Sequence, residues 1–364
     1  MGNRFSDFWA SVRIFYSNFN ANYGRLFNAV LILLFLVCLL IFGSLSDRLL
    51  SVDAAHRWRN GNEMRFAQIG CFLPVDEPKS EEEIFQFRRT LDQKLVDASL
   101  EAAPNGSLYS DAYSGEAKLT VKGEHGSTEV KAIGVGGNFF LFHPLQLLSG
   151  SYLYETDLMQ DRVVLDETVA WQLFGGSNVA GQTVTIQNEP YYVAGVVRRE
   201  SDFASKEAYG DGVGIFLSYS ALRKLTQAGI SCYEIVLPDM ISGFGLSLVK
   251  ENFSVGTGDI VQNTGRFSVS GLIGVIGNFG SRSMRNNGVI YPYWENAVRM
   301  IEDYLALLLI LMTVFAICPV ACGIVLVVRL TVRSYRTAAK RIPAAAVSLQ
   351  ERAREKKYAK RGEG

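Results

Sequence analysis

Two long apolar runs bracket a middle stretch whose apolar positions come in short bursts of changing period. Leu26–Leu45 and Tyr304–Val328 carry no charged residue, and each reaches the ~20 residues needed to cross a bilayer core of about 30 Å. Between them, Glu63–Phe72 alternates as a strand does. Ser80-Glu81-Glu82-Glu83 is a capping box opening a helix to about Leu100, with Ile84, Phe87, Leu91 and Leu95 on its buried face. Strands are expected at Leu108–Tyr113, Lys118–Lys122 and Glu129–Val135, and an inward-packing helix or turn over Asn138–Leu148. Further on come a strand at Val213–Leu217, a helix at Ser218–Leu225, and strands at Cys232–Leu237 and Gly258–Val261 flanking a helix near Ser242–Phe253. Ser268–Gly280 is apolar but too broken by glycine to be a third span. Tyr293–Glu302 runs without a breaker into the second apolar run. Ahead of the first, Phe5, Phe8, Trp9, Val12, Phe15 and Tyr16 approach helical spacing, as in an amphipathic helix lying at a membrane surface.

The densest local pattern is Asp161–Val197. Arg162–Leu165 is a β-branched run, and Asp166 supplies an N-cap. Thr168–Phe174 sets Val169, Ala170 and Leu173 on one helical face, and Gly175-Gly176 ends the helix. Strands at Gln182–Ile186 and Tyr191–Val197 follow, with Asn188-Glu189-Pro190 as the turn between them.

This order of residues resembles the MacB-like periplasmic core domain of an ABC permease family that includes the lipoprotein-releasing and FtsX-type permeases. The positions that carry the resemblance are Gly150, Val164, Leu165, Glu167, Ala170, Leu173, Phe174, Gly175, Gly181 and Gly195, together with Leu148, Asp161, Val163, Asp166, Val193, Val196 and Val197. The aromatic after Gly150 departs slightly, falling at Tyr152 and Tyr154. The resemblance implies an α+β membrane protein: two transmembrane helices flank a two-lobed extracytoplasmic domain. One lobe would combine about 47–115 with 200–290, and an inserted lobe would cover about 116–199. The resulting division is a cytoplasmic amphipathic helix (1–25), a first span (26–46), the core domain (47–303), a second span (304–328) and a basic cytoplasmic tail (329–364).

Charge sets the orientation. The totals balance at 36 basic and 36 acidic residues, yet residues 1–25 hold three arginines against one aspartate, and residues 329–364 hold eleven basic side chains against three glutamates. Basic ends and an acidic middle place both termini in the cytoplasm by the positive-inside rule. The first run reads as an uncleaved anchor, because its leader is long and Phe42-Gly43-Ser44-Leu45 is a poor cleavage site. The family resemblance makes the membrane a bacterial cell (inner) membrane.

Motifs for chemistry are missing from the sequence. No Gly-Lys-Ser/Thr follows a glycine-rich loop, so no phosphate cradle is expected, and the Gly134–Asn138 cluster reads as turn chemistry. His56, His125 and His143 have no metal-ligand spacing, and no G-x-S-x-G elbow occurs. The chain is therefore expected not to be an enzyme and to hold no cofactor or metal. Cys71 and Cys232 lie outside the spans and could pair if their strands are neighbours; two buried thiols are the alternative. Cys318-Pro319-Val320-Ala321-Cys322 reads as small residues packing near a proline kink. The basic tail suits anionic lipid better than nucleic acid.

In the family, the segment after the second span docks on the ATP-hydrolysing partner. Here that segment is Tyr335–Gln350, with Tyr335, Arg336, Lys340, Arg341 and Ile342 as the candidate contact, although the family's usual E-I-G-x-x-R-A-x-G-A wording is missing. Family permeases have four spans and this sequence shows two, so it reads as a shortened form. The implied partners are a separate ABC ATPase, a second permease subunit or a second copy, and membrane lipids. The implied function is coupling of ATP hydrolysis to movement of the outer domain, for export or extraction of peptide, lipid or lipoprotein. The alternative is a non-transporting membrane-anchored scaffold or sensor.

Overall fold

The computed structural model describes residues 24–46, 49–59, 64–100, 106–209, 214–283, 285–286 and 288–359, with side chains described to residue 339 and that of Asn286 excepted. The amphipathic helix expected over residues 3–24 lies outside this set save for its last residue. The chain divides into two compact units, Met1–Phe42 with Leu308–Gly364, and Gly43–Leu307.

In the first unit, two helices are long and apolar enough to cross a membrane. Helix α1 is Gly24–Ser46. The other is the later part of a 67-residue helix that begins at Tyr293, ends at Ala359 and runs through Pro319 without a break. Asn28 Nδ2 donates to Gly24 O at 2.8 Å and to Cys322 Sγ at 3.4 Å. A polar side chain shared between two apolar helices and a small thiol facing it are common devices for helix contact in lipid.

The second unit is built on one ten-stranded sheet. Its chain order opens with α2 (Ala54–Arg59), β1 (Phe66–Phe72) and α3 (Glu81–Asp97), followed by β2 (Ser110–Gly123) and β3 (Gly126–Gly137). Next come α4 (Phe139–Phe142), β4 (Gln146–Gly150), β5 (Arg162–Asp166), α5 (Glu167–Phe174), β6 (Thr183–Ile186) and β7 (Glu189–Arg198). Then follow α6 (Phe203–Tyr209), β8 (Ile215–Ser218), α7 (Tyr219–Thr226), β9 (Cys232–Pro238), α8 (Phe244–Asn252), β10 (Asp259–Gln262) and α9 (Val269–Gly277). A short hairpin, β11 (Arg285–Asn286) and β12 (Val289–Ile290), leads into α10 (Tyr293–Ala359). The strand order is β10-β1-β9-β2-β3-β8-β5-β7-β4, and β6 pairs with both β2 and β7.

The long antiparallel pair β2–β3 is the spine. One end of β2 pairs with β9 and the other with β6. The strands expected at Leu108–Tyr113 and Lys118–Lys122 are one continuous strand, with Gly115 between them. Gly115 serves packing: a Cβ at that position would stand 2.5 Å from the carbonyl oxygen of Gly229. Three apolar clusters fill the two faces of the sheet. One holds the fingerprint residues Leu165, Ala170 and Leu173 with Leu217 and Leu222, so β8 and α7 pack with the fingerprint. A second holds the capped helix through Ile84, Phe87, Leu91 and Leu95. The third gathers Phe139, Phe142 and Val164 with Tyr293 and Trp294 of α10.

Local chemistry explains most element ends. Ser80 accepts from Glu83 N while the Glu83 carboxylate accepts from Ser80 N at 2.9 Å, closing the capping box. Asp166 Oδ1 accepts from Val169 N at 2.9 Å, and Gly175 ends α5 at φ +75°. The β6–β7 turn is Gln187-Asn188, one step earlier than the expected Asn188-Glu189-Pro190. Both residues take positive φ, which matches the twist of a two-residue hairpin, and Pro190 sits inside β7 opposite Thr185.

The possible disulfide does not form. Cys71 and Cys232 do lie on neighbouring strands, but Cys71 is opposite Tyr233 and Cys232 opposite Phe72. That one-residue offset sends the two thiols to opposite faces of the sheet, into different clusters. Burial pushes both thiols well above the ordinary range, so neither is a reactive thiolate.

Gly150 gives the sharpest test of this packing. It holds φ +73°, and a Cβ there would stand 2.0 Å from the carbonyl oxygen of Ala194. Gly150→Ala is expected to lower unfolding stability by more than about 2 kcal/mol, measured by denaturant unfolding of the full chain followed through tryptophan emission. A loss under about 0.5 kcal/mol would contradict the close β4–β7 approach.

Candidate functional site at the root of the long helix

The first turns of α10, Tyr293 to Glu302, are set into the second unit by a buried charge network. Arg266, in the turn after β10, is almost fully enclosed and uses all five of its guanidinium donors. Nη1 and Nη2 donate to the two oxygens of Glu295, each at 2.7 Å. Nε and Nη2 donate to the two oxygens of Glu302 at 2.6 and 3.0 Å, and Nη1 also donates to Asn263 Oδ1 at 3.0 Å. Glu295 and Glu302 are seven residues apart, two helical turns, so one planar fork bridges them along a single face of the helix.

Two further arginines close the cluster. Arg299 Nε donates to Glu295 Oε1 at 2.7 Å and its Nη2 to Asp259 Oδ2 at 3.1 Å, while its guanidinium stacks 3.7 Å from the centre of the Tyr291 ring. Arg282 Nη2 donates to Glu302 Oε2 at 2.7 Å, and its Nε forms an ion pair with Asp303 at 3.0 Å. Burial alone would raise the Glu295 carboxyl. The charge and hydrogen bonds of Arg266, then of Arg299, outweigh burial and hold it below its ordinary value. Burial works against the Arg266 cation too, but Glu295 and Glu302 outweigh it and the guanidinium stays charged.

The segment leaving the first apolar helix is pinned as well. Buried Gln68 on β1 accepts from Ala54 N at 2.9 Å and donates to Ser51 O at 2.6 Å. Arg57 donates to Leu50 O at 2.8 Å, to Leu141 O at 2.8 and 3.0 Å, and to Phe142 O at 3.2 Å. Ala54 and Trp294 lie in the same apolar cluster, and both segments contribute to the lining of a cavity of about 410 Å³, through Leu49 and Ser51 on one side and Trp294 and Ala297 on the other, with His143 and Glu200. Beside it, His143 Nε2 and Glu234 Oε2 form a buried contact at 2.5 Å, with the imidazole 4.3 Å from the Trp294 ring.

The profile of the family described as the MacB-like periplasmic core domain matches residues 36–242, more than half of the chain. The chain belongs to this family. One curated relative, the macrolide export ATP-binding/permease protein MacB of Aggregatibacter actinomycetemcomitans, is 32% identical over 111 residues, which cover 30% of this chain and 17% of the relative. The match thus spans about a sixth of that relative's length. Among solved structures, the periplasmic region of MacB from Actinobacillus actinomycetemcomitans aligns at 17% identity over 59% of this chain and 94% of that one, with a TM-score of 0.38. The extracellular domain of the noncanonic ABC-type transporter YknZ from Gram-positive bacteria aligns at 15% identity over 53% and 91%, with a TM-score of 0.35. A mixed helix–strand domain of the MacB-like family, flanked by two apolar helices, is therefore the architecture of this chain.

Among the fingerprint residues, Val164, Leu165, Ala170 and Leu173 are buried, and Glu167 pairs with Arg198 at 3.0 Å near the surface. Gly195 lets β7 approach Ser151, whose carbonyl oxygen would stand 2.5 Å from an added Cβ. Phe174 packs at the edge of its cluster, Gly175 caps α5, and Gly181 has open space around it at φ +87°. These residues build the domain and gather no reactive groups. Tyr335 and Arg336 are exposed on α10, while Lys340, Arg341 and Ile342 are helical in backbone. No group of three or more possible metal ligands occurs among the described residues.

The sequence reading missed the root network. The available signal was Glu295, Arg299 and Glu302 spaced at three and four residues on a helix bound for an apolar run, where buried charge is expensive. Its arginine partner lies 29 residues upstream of Glu295, a pairing that spacing alone does not reveal.

Arg266→Met is expected to destabilise the second unit by about 3 kcal/mol, since it leaves Glu295 with only Arg299 and Glu302 with only Arg282 as cationic partners. The Glu295 carboxyl is depressed in the fold, so its contribution is present above its ordinary value of 4.5 and is lost as pH falls through the lower folded value. Thermal unfolding of the native chain should therefore weaken below pH 4.5, and the variant should show less of that acid loss; parallel pH profiles of the two would contradict the network's role.

Proposed function

We propose that this chain is a membrane subunit of an ABC-type complex in which ATP hydrolysis on a separate subunit moves the outer MacB-like domain. The observation that carries this reading is the Arg266 network, which fixes the first turns of α10 within the outer unit while the same helix continues through the apolar run to the basic tail. A displacement of that helix would be handed to the sheet at Asn263, Arg266 and Asp259, not absorbed by a soft linker. Tyr335–Gln350 is the proposed ATPase contact, with Tyr335, Arg336, Lys340, Arg341 and Ile342 at its start. The charge pattern and the family support a placement with both termini in the cytoplasm and residues 47–303 outside an inner membrane. The curated relative's name joins ATP-binding and permease functions, which supports an ABC ATPase as the working partner of this domain. Peptide, lipid or lipoprotein is the proposed cargo class. A second permease subunit or a second copy of this chain would complete the membrane assembly.

The cavity of about 410 Å³ between Ser51 and Trp294 favours a second reading, a ligand-responsive scaffold in which a bound molecule shifts one helix root against the other.

Affinity capture of the tagged full chain from gently solubilised native membranes is expected to recover an ABC ATPase, and deletion of residues 335–350 to abolish that recovery while leaving the chain in the membrane. Capture of signalling or extracellular proteins alone, with no ATPase, would overturn the transporter reading and leave the scaffold.

A further inference from the structure

The glycine-rich stretch that is too short to be a span has a defined place in the fold. From Phe267 to Ser281 the chain carries no charged side chain, and an arginine flanks each end. Ser268 caps α9 by accepting from Gly271 N, and the helix buries Leu272 and Val275 against the domain. Its other side is unpartnered: Val269, Ile273 and Phe279 are each more than half exposed. Glycines at 274, 277 and 280 have nothing near them that an added side chain would strike, so that face is open.

Both ends of this stretch are anchored to one residue. Arg266 grips Glu302 Oε1 at 2.6 Å, and Arg282 grips Glu302 Oε2 at 2.7 Å. Glu302 lies two residues, about 3 Å of helix rise, before Tyr304, where the apolar run of α10 begins. Tyr304 and Leu307 are already exposed apolar positions. The two arginines that flank the α9 stretch thus both meet α10 in the turn that precedes its apolar run. Nine helical residues cover about 14 Å, less than half a bilayer core, so α9 cannot cross it. An uncharged apolar helix tied to that turn fits the boundary between headgroups and acyl chains, where such helices lie in the plane of the surface.

We propose that α9 and Phe279 form a membrane-surface foot of the outer domain, with Val269, Ile273 and Phe279 inserted among the lipids of the leaflet on that side. The foot rests on the reading of residues 304–328 as a span. Through Arg266 and Arg282 it shares its anchor with the helix root, so the lipid surface bears directly on the network that holds α10.

The test uses the full chain in vesicles of phosphatidylethanolamine and phosphatidylglycerol. An environment-sensitive fluorophore is placed at Ile273→Cys, with Cys318 and Cys322 replaced by serine. Leu158→Cys, almost fully exposed, gives an aqueous reference, and native Cys318, exposed within the second apolar run, gives a lipid reference. Quenching by lipids carrying a nitroxide near the headgroup is compared with quenching by iodide. The expected result at residue 273 is roughly three-fold or more stronger lipid quenching than at residue 158, with protection from iodide. Iodide quenching at 273 equal to that at 158, or protection from both quenchers as under a protein partner, would overturn the foot while the Cys318 signal leaves the span standing. A Cys318 probe insensitive to the lipid quencher would overturn both.

Discussion

The fold of the outer unit depends on one buried cation. Arg266 sits where a sheet edge, a glycine-rich helix and the first turns of a 67-residue helix converge, and its five donors have five acceptors. An enclosed guanidinium is stable only with this degree of pairing, and two carboxylates two turns apart on one helix are held together only by a planar fork of this shape. Lysine offers a point charge without the fork. The arrangement is strict in both directions: removing the cation takes two hydrogen bonds from each of Glu295 and Glu302 and leaves each with one arginine, and rotating the helix breaks four bonds together.

The sheet gives that cation a stiff seat. β1 pairs with β10 and β9, and β9 pairs with the long β2, so Asp259, which begins β10, and Asn263, just past its end, are tied across the sheet to the spine. The fingerprint region joins the same sheet from the other side through β3, β8 and β5. A helix root, a spine and the fingerprint are therefore parts of one hydrogen-bonded surface. This continuity is the physical basis for expecting motion at the root to reach the far strands.

How much of this was legible beforehand follows from the range of each interaction. Ser80–Glu83, Asp166 with Gly175 and the helix they bound are local events, and spacing exposed them. The family domain was readable because its glycines at 150 and 195 and its Val164-Leu165 core occur in a fixed order. The β6–β7 turn slipped because Pro190 suggested a turn residue, whereas the hairpin twist favoured Gln187-Asn188. The cysteines were placed on the right strands, but the face of each depends on register, which spacing does not set. The two strands expected around Gly115 are one, because Gly115 allows β2 a close approach to the Gly229 carbonyl that no spacing predicts. The Arg266 network is only half visible in the sequence: Glu295, Arg299 and Glu302 share a helix face, but Arg266 lies 29 residues upstream of Glu295, and the apolar stretch of α9 shows no sign there of its tie to Glu302.

The most direct measurement is hydrogen exchange by mass spectrometry across residues 293–303 and across β9, on the full chain in nanodiscs, for the native protein and for Arg266→Met. The account predicts that the native root exchanges as slowly as β9, opening only with the outer unit as a whole, and that the variant releases the root more than it releases β9. A root that exchanges much faster than β9 in the native protein, at a rate the variant does not change, would contradict the claim that this network fixes residues 293–303 to the sheet.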